Sequence, residues 1–234
     1  MNETRERRIQ FVREWAAKNI TEVSACPNPL FSRLLFLSII DAFAQGSTEY
    51  KNKSNIDCFC QFVMKYSSEK SNLEKICPVT LYYDYSGKGY DLPRISFTEG
   101  MLIGYDEKFA NEEAERILLS LPVEIRNEAR KRHQYIKLLY RLRSKLVHEL
   151  NAIGTPIEFE KDTPMISSGS LIDVDENGKI VTTKHWTLNF PKDYLEKLTR
   201  ECVFNYIDEC YEQDKDPLPV NQELRKCTYS WYDD

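Results

Sequence analysis

Apolar residues recur at helical spacing along most of the chain. Ile9, Val12, Trp15 and Ala16 form one stripe beneath a heavily charged opposite face, which predicts an amphipathic helix over Thr4 to Ile20. Cys26-Pro27-Asn28-Pro29 then punctuates the chain, and Asn28 or Ser32 can cap a helix over Leu30 to Gln45 that Gly46 ends. That segment, FSRLLFLSIIDAFAQ, is apolar nearly all round, so it is expected at the centre of the fold, with Asp41 its only acidic group. A third helix is expected over Asp57 to Tyr66, burying Phe59, Phe62 and Val63.

Between Pro78 and Tyr105 the pattern changes to Val, Thr, Leu and Tyr clusters broken by Gly87, Gly89, Pro93, Gly100 and Gly104. This predicts turns and short strands, an irregular insertion over 78–105. Helical spacing returns over Glu112 to Leu121, halts near Pro122, and then runs from Val123 to about Leu150. A single helix of that length would extend about 40 Å. Gly154 and Pro156 stop it. Ile157-Glu158-Phe159, SLIDVD and KIVTTKHWTLNF follow, the last two flanking Glu176-Asn177-Gly178-Lys179, which predicts a β-hairpin insertion over 155–190. Pro191 opens a final helix over Lys192 to Gln213, with Tyr194, Leu195, Leu198, Cys202, Tyr206 and Ile207 inward. The acidic, Pro-containing tail after Asp214 reads as peripheral. The expected class is therefore mainly α, a helical bundle with two β-rich excursions.

The chain has 234 residues without internal repeats or a Gly/Ser-rich linker, so one domain over 1–234 is expected. It has no apolar run of about 18 residues, and no apolar stretch follows the charged N-terminus, which points to the cytoplasm and away from the membrane. Seven cysteines at scattered spacings and three histidines favour neither a disulfide framework nor a zinc site; Cys58-Phe59-Cys60 is the closest pair, and no metal or cofactor is expected. The net charge of −5 argues against a generic polyanion binder. Its distribution changes that picture. From Arg126 to Lys145 eight basic residues face a single Glu128, a local surface for phosphate or nucleic acid.

Within that run, Ile136, Leu139, Tyr140, Leu146, Val147 and Leu150 form an apolar stripe on a helical wheel, and Arg143 falls inside it. A guanidinium aimed at apolar surface must meet a carboxylate, a partner subunit or a bound anion, and Asp41 is the candidate carboxylate. His148 lies about 140° further round, toward the stripe's flank. Arg141-Leu142-Arg143-Ser144-Lys145-Leu146-Val147-His148 carries Arg, four intervening residues, then His. With the apolar helix before it and the last helix after it, this segment resembles the HEPN superfamily of α-helical ribonuclease-like domains. In this chain Ser144 stands where a larger polar residue often follows the motif Arg, and Glu149 and Leu150 follow the His.

The resemblance implies an antiparallel helical bundle and a homodimeric, metal-independent endoribonuclease, of the kind that serves as a prokaryotic antiviral defence or toxin effector with a cognate inhibitor or antitoxin. Arg143 and His148 would be catalytic, Ser144 and Asp41 supporting, and Arg141, Lys137 and Lys145 RNA-binding. The products would be 2′,3′-cyclic phosphate and 5′-hydroxyl ends. The residue types suit that chemistry, since imidazole can exchange a proton near neutrality and guanidinium can hold a phosphate as charge builds on it. The alternative is a non-catalytic RNA-binding or protein-interaction module on the same scaffold, or Arg143 as a purely structural ion-pair partner. Arg126 and His133 also fit the spacing, with six residues between, while His133 and His185 read as surface or packing histidines. Tyr82, Tyr83, Tyr85 and Tyr90 could stack on unpaired bases or serve a sheet surface. YSGKGY lacks the Gly-Lys-Ser/Thr ending of a phosphate loop and reads as a turn.

Overall fold

A computed structural model describes residues 3–47, 49, 53–97, 102–105, 107–149, 163–174 and 180–217. Five helices make the main core: α1 (Glu3–Ser24), α2 (Pro29–Gly46), α3 (Asn55–Tyr66), α8 (Tyr135–Glu149) and α9 (Lys192–Glu212). α2 packs against the other four, as its near-continuous apolar surface requires. Asn28 starts it by accepting from the Leu30 and Phe31 amides, with Pro29 in the first turn where no amide partner is needed. Ser32 is not the cap. It lies inside the helix, buried, and donates toward the carbonyls of Val23, Cys26 and Asn28. Those bonds and the 6.2 Å approach of the Trp15 and Phe43 rings set α1 and α2 antiparallel. α1 buries Ile9, Val12, Ala16, Ile20 and Val23, leaving Trp15 largely at the surface.

α9 starts at Pro191 and buries Tyr194, Leu195, Leu198, Cys202, Tyr206 and Ile207, the positions its periodicity selects. Arg5 tethers its far end, donating to the carbonyls of Cys210 and Lys215 and pairing with Asp214. These are acceptors that a helix C-terminus leaves open.

Two expectations are corrected. Residues 78–86 are not irregular but form helix α5 (Pro78–Ser86), preceded by the short α4 (Lys70–Leu73). The Val, Thr and Tyr content favours strand only weakly, and tertiary packing overrides it: Leu81 and Tyr85, one turn apart, bury with α6 (Lys108–Ser120) and α7 (Val123–Arg132) in a second apolar cluster. Nor is Val123 to Leu150 one helix. It breaks at His133-Gln134 into α7 and α8, where the Cys77 amide donates to the His133 carbonyl at 2.9 Å and the Tyr135 amide to the Lys75 carbonyl at 3.0 Å. Backbone pairing with a distant segment replaces two helical bonds, and the chain turns.

β1 (Leu102–Gly104), β2 (Met165–Val174) and β3 (Ile180–Asn189) form an antiparallel sheet in that order, with Ile103 opposite Ile166 and Ile166 opposite Leu188. The hairpin is present, and the earlier excursion supplies its third strand. Ile103, Tyr105 and Ile166 enter the main core, so both excursions are tied to the bundle. Ile157-Glu158-Phe159, the turn at 176–179, Leu150 and the tail beyond 217 lie outside the described residues. Among the described residues, no helix is long and apolar enough to cross a membrane.

Candidate functional site

α8 presents three faces. Tyr135, Ile136, Leu138, Leu139 and Leu146 are buried, which centres its inward side near Leu139 and Leu146. Arg143 falls on the flank of that side, one turn after Leu139, and reaches α2: its Nη2 donates to Asp41 Oδ2 at 2.5 Å. The two side chains are 20% and 12% exposed, so the pair is shielded but reachable. Arg143 Nε and Asp41 Oδ1 are buried without a hydrogen bond, so the fork of the guanidinium is only partly used. Tyr140 packs beside them with its ring edge-on to Phe59 at 5.5 Å; burial raises its phenol above the ordinary value, against the opposing pull of Arg143.

The third face is half-buried as far as Lys145 and exposed at His148. At 100° per residue, Lys137, Arg141, Ser144, Lys145 and His148 fall within about 100° of one another, opposite the core. His148 is exposed, and so is Val147, which the apolar stripe had placed inward. Ser144, Lys145 and His148 make no hydrogen bond or ion pair among the described residues, while Lys137 approaches Asp57 at 3.7 Å. The structure thus joins Arg143 to Asp41 and gathers His148 with Lys137, Arg141, Ser144 and Lys145. It does not bring Arg143 and His148 into one cleft within the chain. Their directions differ by about 140° and their positions by about 7.5 Å along the helix. The side chain of Glu149 lies outside the described residues.

The basic run divides at the elbow. Arg126 donates from Nε to the Leu121 carbonyl and from Nη2 to the Leu119 carbonyl, both at 2.8 Å, closing the end of α6. Arg130 grips Glu115 with both terminal nitrogens at 2.7 and 2.8 Å. These arginines are structural, and the Arg126–His133 spacing brings no shared site.

A second cluster went unseen in the sequence. His133 is 1% exposed, with Nε2 at 3.1 Å from Asp84 Oδ2 and Nδ1 at 3.2 Å from Thr80 Oγ1. A carboxylate only accepts, so Nε2 carries the proton and Nδ1 accepts from the Thr80 hydroxyl. Burial drives His133 down to about 4, with Arg141 and Arg132 adding to the effect and Asp84 opposing it. Asp84 also meets Lys88 at 3.2 Å and Arg132 at 3.4 Å, contacts that overcome its burial and lower its value. Thr80 and Asp84 are one turn apart on α5, so the signal was available only to a reading that made this segment helical.

The tyrosines serve the fold. Tyr85 packs on the His133 ring at 5.9 Å, and the Tyr83 hydroxyl accepts the Trp186 amide at 2.9 Å, joining α5 to β3. The described cysteines form no disulfide with one another; five are buried, and burial raises Cys60 to about 11. Among the described residues, no group of three His, Cys, Asp or Glu is placed to hold a metal ion. Two surface depressions, of about 350 and 260 Å³, lie between α1 and α2 around Trp15 and Leu35 and beside the Glu115–Arg130 pair, neither at His148. Comparison with family models, with curated proteins and with solved structures returns no match.

Proposed function

We propose that the chain is a metal-independent endoribonuclease of HEPN type that works as a homodimer. The observation that supports this is the presence on one helix of a shielded Arg143, oriented by Asp41, and an exposed His148 on a face carrying Lys137, Arg141 and Lys145. The 140° between the two side chains requires a second copy, so that Arg143 and His148 of each protomer meet across a two-fold axis. One imidazole then takes the proton of a ribose 2′-hydroxyl, that oxygen attacks phosphorus, and the other imidazolium protonates the departing 5′-oxygen. Guanidinium nitrogens not engaged by Asp41 hold the phosphate oxygens as charge builds. Products carry 2′,3′-cyclic phosphate and 5′-hydroxyl ends.

A second reading is a non-catalytic RNA-binding module, favoured by the use of Arg143 Nη2 within the chain. Incubation of RNA with wild-type, His148→Ala and Arg143→Ala protein, followed by end-group analysis, separates the two. Cyclic phosphate ends lost in both variants support the nuclease. Salt-dependent RNA retention without cleavage, indifferent to His148→Ala, replaces it with the binding module.

A further inference from the structure

α2 packs against four helices and still leaves one side bare among the described residues. There an apolar groove of about 350 Å³ runs between α1 and α2, lined by Trp15, Val23, Leu35, Ile39 and Ala42, with Glu22 toward the C-terminal end of α1. Phe11 and Trp15, one turn apart on α1, and Phe31 and Leu35, one turn apart on α2, are between 42% and 67% exposed. At about 200 Å² for a large side chain, these four leave about 400 Å² of apolar surface in water, enough to mark a docking surface.

The chain itself leads to this groove. Its described part ends at Pro217, which is buried and whose carbonyl accepts the Tyr206 hydroxyl at 2.9 Å. The Tyr206 ring is 6.1 Å from that of Phe43, and Phe43 is 6.2 Å from Trp15 in the groove. Just before Pro217, Asp214 pairs with Arg5 and Asp216 with Arg8. Arg8 and Trp15 are two turns apart and share one side of α1, so the chain is delivered to the groove's mouth at the N-terminal end of α1. The residues that follow, Leu218-Pro219-Val220-Asn221-Gln222-Glu223-Leu224-Arg225-Lys226, bring aliphatic side chains first and two cations last. α1 carries the complementary order. Its first turns hold Asp214 and Asp216 through arginines, the apolar lining comes next, and Glu22 follows, exposed and only 3.8 Å from Lys18. From Arg8 to Glu22 α1 rises about 21 Å, and the chain from Asp216 to Arg225 can extend over about 30 Å. We infer that residues 218–226 seat in the α1–α2 groove, Val220 and Leu224 on its apolar lining and Arg225 and Lys226 at Glu22. Any apolar partner of this surface must then displace the chain's own segment. Nothing in this inference rests on the nuclease reading.

Two native cysteines supply the test. Cys26 stands just beyond Val23 at the far end of the groove, Cys227 follows Lys226, and the described cysteines other than Cys26 are buried. The full chain, dilute and reduced, is treated with a short bis-maleimide, and the products are mapped by gel and peptide mass spectrometry. A link between Cys26 and Cys227 of one chain is expected. Leu35→Glu, at an exposed position, should keep the wild-type Tm while the linked fraction falls roughly tenfold, the apolar contact being lost. Ala42→Lys, also exposed and on the groove, replaces it should Leu35→Glu fold poorly. Ala25→Cys, exposed beside Cys26, provides the thiol should Cys26 fail to label with a monofunctional maleimide. No link between labelled thiols, or an equal link in the groove variants, overturns the proposal. A link between two chains overturns it as well and gives the groove to a second copy.

Discussion

His133 makes folding stability depend on pH in a window that the neighbouring carboxylates leave clear. Its imidazole is 1% exposed and held down to about 4, against an ordinary value of 6.5. The native state therefore binds the proton less well than the unfolded chain. Its contribution is fully present above pH 6.5 and drains away as pH falls, until below about 4 both states are protonated. The full difference is worth about 3 kcal/mol, of which about 2 kcal/mol is lost between pH 7.5 and 5. Glu49, Glu69, Asp84 and Glu113 all sit below their ordinary values, so their contributions are lost only at more acid pH. Geometry gives the same sign. A proton added to Nδ1 meets the Thr80 hydroxyl, which must turn its own hydrogen toward the Cys77 carbonyl at 3.4 Å, a long bond in exchange for a good one. Urea denaturation followed by tryptophan fluorescence should show the wild-type midpoint falling by about 1 M from pH 7.5 to 5, taking a slope near 2 kcal/mol per molar. His133→Gln, which keeps an amide donor for Asp84, should flatten that trend. Equal slopes in the two proteins, or a wild type more stable at pH 5, would refute the reasoning.

Three further outcomes follow from the ion pairs and caps. Asp41→Ala strands Arg143 against apolar surface and should cost about 3 kcal/mol in the same urea assay, and adding Arg143→Met should recover part of that loss. Asn28→Ala removes the acceptor for the Leu30 and Phe31 amides and should cost about 1 kcal/mol in the same urea assay. With Arg126 and Arg130 committed to α6, six cations of the basic run remain for the polynucleotide that the proposed function calls for. The slope of log K against log salt for a single strand should be about −4, and a slope of about −6 would mean that the whole run binds.

The helices that were legible carry their signals locally. α2 announces itself by an apolar surface between Asn28-Pro29 and Gly46, and α9 by Pro191 followed by buried positions at helical spacing. The Asp41–Arg143 contact was also within reach, because one acid in an apolar helix and one base in an apolar stripe each need a partner, and each was the other's best candidate. α5 was hidden by composition. Val79, Thr80, Tyr82, Tyr83 and Tyr85 favour strand as isolated residues, and only the burial of Leu81 and Tyr85 against α6 and α7 decides for helix.

The elbow was hidden for a different reason, and that reason bears on the site. Arg132-His133-Gln134-Tyr135 contains neither Pro nor Gly, so nothing local interrupts the helical spacing. The break is imposed from Lys75, Ile76 and Cys77, nearly sixty residues earlier, through backbone bonds that no periodicity encodes. Once α7 and α8 are separate, a single helical wheel drawn from Val123 to Leu150 no longer relates the arginines of one half to the faces of the other. Arg126 and Arg130 turn to α6, and His133 turns inward to Asp84. Arg132 joins Lys88 and His133 on the Asp84 carboxylate. The bend therefore splits the basic run, with Arg126 and Arg130 bonded to α6 and Lys137, Arg141 and Lys145 left on α8. What reads as one charged helix becomes an ion-paired group of Lys88, Arg132 and His133 around Asp84 and, on α8, an exposed imidazole at His148.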